Sequence, residues 1–290
     1  MKVLSRLNIK TKAATDTGKY KPGEFGYWWT VEKGNDDIEG TIWSGDLEIW
    51  NNQKITSLRG CPKVVTGKFS CDNIGITSLE YAPEKVGGDF DCYGNKLTTL
   101  KGCPKIINGY FDVGRNKLTS LKYGPEKVGK YYECEQNELT SLEYAPKNIP
   151  GSFTCYQNNL TSLKGCPQKI GGDFHCDQNK LTSLKEGPKE VKGEYSCSEN
   201  KITSLEGAPE KVAAFVCVDN KLKDLKGAPK EITGWDFRCY DNPLVSLEGL
   251  PKKIRRNLEL PDVKSFGGED AIRKLSQISG DIKKDSMYGN

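Results

Sequence analysis

Histidine is almost missing from this chain: His175 is the only one in 290 residues. A relay of imidazoles, or a zinc site of ordinary Cys/His spacing, is excluded on that count. No C-x-x-C occurs either, although there are 11 cysteines. Long apolar runs are also lacking, and no stretch approaches the ~20 apolar residues of a membrane span. Residues 1–10 are basic but carry no apolar run of the kind a signal peptide needs. An odd number of cysteines cannot all pair within one chain, and thiols without an export signal imply a reducing compartment. The expected location is the cytoplasm. No glycine-rich phosphate loop and no nucleophile beside a base are present, so an enzyme is not expected, and neither is a cofactor or a resident metal.

What the chain does have is a period. The tetrapeptide I-T-S-L at residues 55–58 recurs, with small changes, at 76–79, 97–100, 118–121, 139–142, 160–163, 181–184 and 202–205. Looser copies follow at 222–225 and 244–247. A proline sits seven residues after each start, from Pro62 and Pro83 to Pro229 and Pro251. The shared pattern is L-T-S-L-x-x-x-P-x-x-V-x-G-x-F-x-C-x-x-N-x. Side chains alternate across F-x-C, so Phe69 and Cys71, or Phe174 and Cys176, leave a short strand on the same side. Stacked copies then make a parallel sheet with like residues ~4.8 Å apart. The Asn that follows, such as Asn116 or Asn179, is placed to bond backbone groups left free where the chain turns out of the sheet. The rest of the repeat is too short and too rich in Pro and Gly for a long helix. Extended or short-turn backbone is expected on the far side.

Val113 occupies the slot that holds Cys71, Cys92, Cys134, Cys155, Cys176, Cys197, Cys217 and Cys239 in other copies. The slot therefore requires a small apolar group, and the thiols are expected buried and free. In-register stacking should leave their sulfurs nearly parallel and too far apart for good disulfide geometry.

The pattern resembles the leucine-rich repeat family, whose L-x-x-L-x-L-x-x-N-x-L core is filled here by V-x-G-x-F-x-C-x-x-N-x-L. Its N-x-L-T-S-L followed by proline is similar to the short repeats of secreted enterobacterial effectors. Its C-P-x-x-V-G-G-x-F-x-C form resembles repeat proteins encoded by tailed bacteriophages. The ubiquitin-ligase domain of some effectors is not expected here, since about 30 residues follow the last repeat and none is Cys. The resemblance implies a leucine-rich-repeat solenoid with a parallel sheet on its concave side, acting as a binding scaffold. It covers residues 45–261.

The flanks do not repeat. Residues 1–44 read as an N-terminal β-rich cap, with 25–31 and 38–43 as the arms of an aromatic β-hairpin. In residues 262–290, Ala271, Ile272, Leu275, Ile278 and Ile282 fit one face of a capping helix, with a loose tail from 283.

If Phe and Cys point inward, the residues between and beside them form the open face of the sheet. Counted from Asp46 to Glu259 and including Trp50, that face carries sixteen carboxylates against three basic residues in a chain whose formal net charge is +4. Like charges so close repel, so folding alone does not favour the arrangement. Tyrosines are interleaved with them, which suits contact with a basic protein. The expected partner-binding residues are Asp89, Asp91, Tyr93, Tyr110, Asp112, Tyr131, Glu133, Glu135, Tyr156, Asp173, His175, Asp177, Val216, Val218, Trp235, Arg238 and Tyr240. Val216, Val218 and Trp235 mark a break in the period, where one copy loses a residue and the next gains one. Asp173, His175 and Asp177 alternate along one strand, so all three should face outward, with the His holding its proton more tightly. Nucleic acid is not expected, because the sign of the face is wrong for phosphates. A glycan-binding structural or virion component is the alternative to protein binding, and the oligomeric state stays open.

Overall fold

The computed structural model describes residues 3–5, 17–49 and 52–284; Trp50 and residues 285–290 of the expected tail lie outside them. The chain folds as a parallel β-solenoid with coils of about 21 residues, the leucine-rich-repeat architecture that the pattern implies. Two compact units are present, Met1–Leu139 with Glu143–Pro146, and Thr140–Leu142 with Lys147–Asn290.

In the first unit, the strands Leu47–Glu48, Phe69–Ser70, Phe90–Asp91, Phe111–Asp112 and Tyr132–Glu133 pair in parallel. Phe69 opposes Phe90, Phe90 opposes Phe111, and Phe111 opposes Tyr132. A second parallel ladder runs through Ile42–Ser44, Val64–Val65, Lys85–Val86, Ile106–Ile107 and Lys127–Val128. In the second unit the face strands are Phe153–Thr154, Phe174–His175, Glu194–Ser196, Ala214–Val216, Phe237–Arg238, Leu258–Leu260 and Ile282–Lys284. Two-residue strands again line the other side, as in Lys169–Ile170 against Glu190–Val191. Of the two expectations for the far side, extended or short-turn backbone, the extended one holds, with the segments paired into parallel ladders of their own. Gly129 permits the tight corner between the two ladders, since a Cβ there would overlap the Asn108 carbonyl oxygen.

The core of each coil is a slice of the same ladder. Rings stack along it at 5.5 Å (Phe69–Phe90), 5.9 Å (Phe90–Phe111) and 4.9 Å (Phe111–Tyr132), and again from Phe153 to Phe237 in the second unit. Each buried ring contributes roughly 1.5–3 kcal/mol through removal of apolar surface from water. Where Tyr replaces Phe, the slot before the proline shrinks to Gly: Gly124 with Tyr132, Gly187 with Tyr195. A Cβ on either glycine would stand 3.4 Å from the phenol oxygen. Coils with Phe keep Cys or Ala in that slot, as Cys103 and Cys166 do.

A coil that carries the repeat asparagine is tied by it to the coil before, as Asn116 and Asn200 show. Asn116 donates to the carbonyls of Cys92, Val113 and Gly114 at 3.0, 3.1 and 3.0 Å, and accepts from Leu97 N at 2.9 Å. Asn200 repeats the set with Cys176, Cys197, Ser198 and Leu181. This is the role that the sequence gives the residue. All eleven cysteines are buried. The expectation of well-separated sulfurs fails at Cys71 and Cys92, whose Sγ atoms lie 2.9 Å apart.

The ends depart from expectation. The aromatic hairpin is not formed: Phe25–Tyr27 is a short α-helical turn and Trp28–Glu32 a π-helical one. Phe25, Trp28 and Trp29 fall at helical spacing and pack together, with Trp29 edge-on to Trp43 at 5.6 Å. Ile42–Ser44 pairs in parallel with Val64–Val65 and Val3–Ser5 instead of folding back on a hairpin partner. The cluster is anchored on the first coil by Phe25 N and Gly26 N, which donate to Ser57 O and Arg59 O at 2.8 Å each. At the other end the helix is only Gly268–Leu275, burying Ile272 and leaving Leu275 exposed. Ile278 and Ile282 belong to strands that pair with Ile254 and Leu258, so they extend the two ladders and are not helical. Among the described residues no helix is long and apolar enough to cross a membrane.

Candidate protein-binding face

Three columns of side chains rise from the open face, and their chemistry differs. The first column precedes the strand. Here Asp46, Asp89, Asp173 and Asp236 do not reach for solvent. Each Oδ1 accepts the backbone N–H of the following coil: Lys68 at 2.8 Å, Tyr110 at 3.0 Å, Glu194 at 2.8 Å and Asn257 at 3.1 Å. Ser152 and Asn257 occupy the same slot and do the same for Asp173 N and Asp281 N. Asp89 and Asp173, both expected to bind a partner, are thus occupied with joining coils. The recurrence of Asp, Ser and Asn in one slot is the sequence signal for that role.

The middle column separates the two units. In the first, Asp91 opposes Asp112 and Asp112 opposes Glu133 in strict register. Asp112 accepts Gly114 N at 2.8 Å. Burial, then the charges of Glu133, Glu135 and Asp91, push its carboxyl up to about 8. Burial also raises Glu133, with Glu135 adding to it, and Glu133 is hydrogen-bonded to Asp112. Two such neighbours hold a proton between them at neutral pH. Glu135, in the third column, is 7% exposed, with its carboxylate against Gly114.

Cations attend one side of this ladder. Lys68 Nζ lies 3.3 Å from Asp91 Oδ2 and 3.9 Å from Glu48, above the Tyr110 ring. Lys130 Nζ is 3.4 Å from Asp89. Tyr110 stacks on Tyr131 with centroids 5.5 Å apart, and its hydroxyl donates to Asp91 Oδ2 at 3.4 Å. Tyr131 is exposed, and Tyr93 is half-buried under the Arg115 guanidinium. The first unit therefore unites Asp91, Tyr93, Tyr110, Asp112, Tyr131, Glu133 and Glu135 on one surface.

In the second unit the same column reads Thr154, His175, Ser196, Val216, Arg238 and Glu259. His175 Nε2 lies 3.6 Å from Glu194 Oε1, and that contact, aided by Asp177 and Asp173, raises the imidazole above its ordinary value. The proton is held more tightly, as expected, but the main partner is on the neighbouring strand. Asp177 accepts from the Ser196 hydroxyl and, at 2.7 Å, from Ser198 N. Burial nonetheless raises its carboxyl. Arg238 bridges Asp236 at 2.8 Å and Glu259 at 3.3 Å. The break in period has a visible effect. Gly234 N and Trp235 N both donate to Ala213 O, so the inserted residue bulges and Trp235 stands 46% exposed. Trp235 borders a hollow of about 220 Å³ with Glu194, Val216, Arg238 and Arg256. Val218, Tyr156 and Tyr240 are half-buried on the third column. Among the described residues no group of three or more His, Cys, Asp or Glu is arranged to hold a metal ion.

No protein-family model and no curated protein matches the chain. Among solved structures it is similar to YopM from Yersinia enterocolitica WA-314, at 15% identity over 84% of this chain and 73% of that one, with a TM-score of 0.41. A likeness at this level says nothing of partner or activity, and the fold stands on the strand register above.

Proposed function

We propose that this protein is a non-enzymatic scaffold that binds a basic protein through the open sheet face of its first unit. The observation that carries the reading is the in-register ladder Asp91, Asp112 and Glu133 beside the stacked Tyr110 and Tyr131. Folding gains nothing from three stacked carboxylates, two of which, Asp112 and Glu133, have their charge resisted by burial. A Lys or Arg side chain laid across them would displace the shared proton and regain the lost Coulomb energy, while the tyrosines supply contact area at low entropic cost. The sign of the surface disfavours nucleic acid. The C-P-x-x-V-G-G-x-F-x-C resemblance supports a bacteriophage protein that acts in the host cytoplasm, where occupying a basic surface of a host protein would inhibit it.

The test is capture of partners from bacterial lysate by the wild type and by the triple variant Asp91→Asn/Asp112→Asn/Glu133→Gln. The reading expects basic proteins bound at low salt, released as salt rises, and lost in the triple variant. Capture that is unaffected by salt and by the three substitutions contradicts it.

A further inference from the structure

Eight coils place a cysteine on the inner side of the face strand, but the thiols behave differently along the ladder. In the second unit Cys176, Cys217 and Cys239 turn their sulfurs onto carbonyl oxygens of the next strand, Ser196, Arg238 and Glu259, at 3.4–3.5 Å. Cys71 and Cys92 turn toward each other instead, with 2.9 Å between sulfurs. Their strands are adjacent and in register, since Phe69 opposes Phe90 and Ser70 opposes Asp91. Parallel neighbours at strand spacing have Cα separations inside the range that a disulfide spans. Along the face ladder the pair has no third cysteine: Ile49 fills the slot in the coil before Cys71 and Val113 fills it after Cys92, while Cys61 and Cys103, from the slot before the proline, are the other thiols near it.

We propose that Cys71 and Cys92 are a redox modification site, which closes to a cross-strand disulfide when the protein meets a small peroxide. One thiol attacks a peroxide oxygen: the O–O bond breaks, water leaves, and the sulfur becomes a sulfenic acid. The second sulfur attacks the first: the S–S bond forms, the S–O bond breaks, and a second water carries away the thiol proton. Two thiols are oxidised and one hydrogen peroxide is reduced. Both residues are fully buried, which restricts the oxidant to a small neutral molecule and shields the product from bulky thiols. Burial, then the neighbouring Cys71 thiol, pushes Cys92 well above the ordinary thiol range. The reaction is therefore slow, and it is driven by proximity rather than by a ready thiolate. The link would staple together the two coils that carry Asp72, Asp91 and Tyr93.

The experiment treats the whole native chain with a few equivalents of hydrogen peroxide, alkylates the remaining thiols, and maps peptides by mass spectrometry without reduction. The expected result is one dominant cross-link, Cys71 to Cys92, with a mass two hydrogens lower and reversal by dithiothreitol. Cys197 and Cys217, adjacent in the other unit, should be recovered alkylated. Cys71→Val and Cys92→Val should each abolish the link and still fold, because Val113 already fills this slot. Recovery of Cys71 and Cys92 as separate alkylated or over-oxidised residues would overturn the proposal. So would cross-links spread evenly among the other neighbouring cysteines.

Discussion

The two units repeat the same backbone pattern and the same kind of core rung but treat the middle column of the face in opposite ways. In the first, acids oppose acids in register, and burial raises both Asp112 and Glu133. In the second, the same positions hold His175, Ser196, Val216 and Arg238, and the charged ones are paired: His175 with Glu194, Arg238 with Asp236 and Glu259. A solenoid can therefore satisfy its face charges locally, and the second unit does so. In the first unit Asp91 is paired with Lys68, but Asp112 and Glu133 keep raised carboxyls, and that is the argument for a partner there. The scaffold is common to both units, and the face is where they diverge.

The largest expected effect concerns what the units share. Asn116→Ala in the first unit and Asn200→Ala in the second each strand several buried backbone groups, and should each cost about 3–5 kcal/mol in urea denaturation. A large loss in one unit and none in the other would break the claim of a common scaffold.

Next comes the divergence. The folded-state value of Asp112 is raised above the ordinary Asp value, so the folded protein binds the extra proton and stability falls as pH rises from about 4 to about 8. Asp112→Asn should abolish that fall. It should match wild type near pH 4 and exceed it by roughly 2 kcal/mol above pH 8, allowing for sharing with Glu133. A variant that is less stable than wild type at high pH would show that the column is not under strain.

His175 gives a smaller signal with a different window. Its raised value means a contribution that is complete below pH ~6.5 and lost as pH climbs through the folded-state value. His175→Gln should cost roughly 0.5–1 kcal/mol at pH 5.5 and almost nothing at pH 9. Equal cost at both pH values would assign His175 a packing role instead. Smallest is the backbone effect at a turn where other coils use Gly. Tyr123 and Glu186 hold φ of 72° and 65°, which strains any residue with a Cβ. Tyr123→Gly and Glu186→Gly should each raise stability by about 0.5 kcal/mol, one in each unit.

Much of the fold was legible because a coil reports itself ten times over. The Phe rung, the Asn tie and the buried thiols all follow from side-chain alternation at a fixed period. The Tyr132–Gly124 and Tyr195–Gly187 exchanges were equally open to reading. The ends were not, because they occur once. Phe25, Trp28 and Trp29 have helical spacing, but their aromatic content suggested a strand. Ile278 and Ile282 fit a helix as well as a last, stretched coil, and the pairing with Ile254 and Leu258 decided for the coil. On the face, the sequence located the acids but not their occupations. Asp89 and Asp173 bind backbone, as the exchange of Asp, Ser and Asn in their slot could have shown, whereas the stacking of Asp91 on Asp112 emerges only from strand register.

The most direct test of the account measures binding of an arginine-rich peptide at low and physiological salt, by calorimetry in buffers of different ionisation enthalpy. Neutralising Asp91, Asp112 and Glu133 in the first unit should weaken binding by at least about tenfold and abolish the proton release that accompanies it. Neutralising Glu194, Asp236 and Glu259 in the second unit should change it by less than about twofold, because those charges already have partners. Equal losses from the two sets, or binding without proton release in the wild type, would contradict the claim that the first unit's ladder is the binding surface.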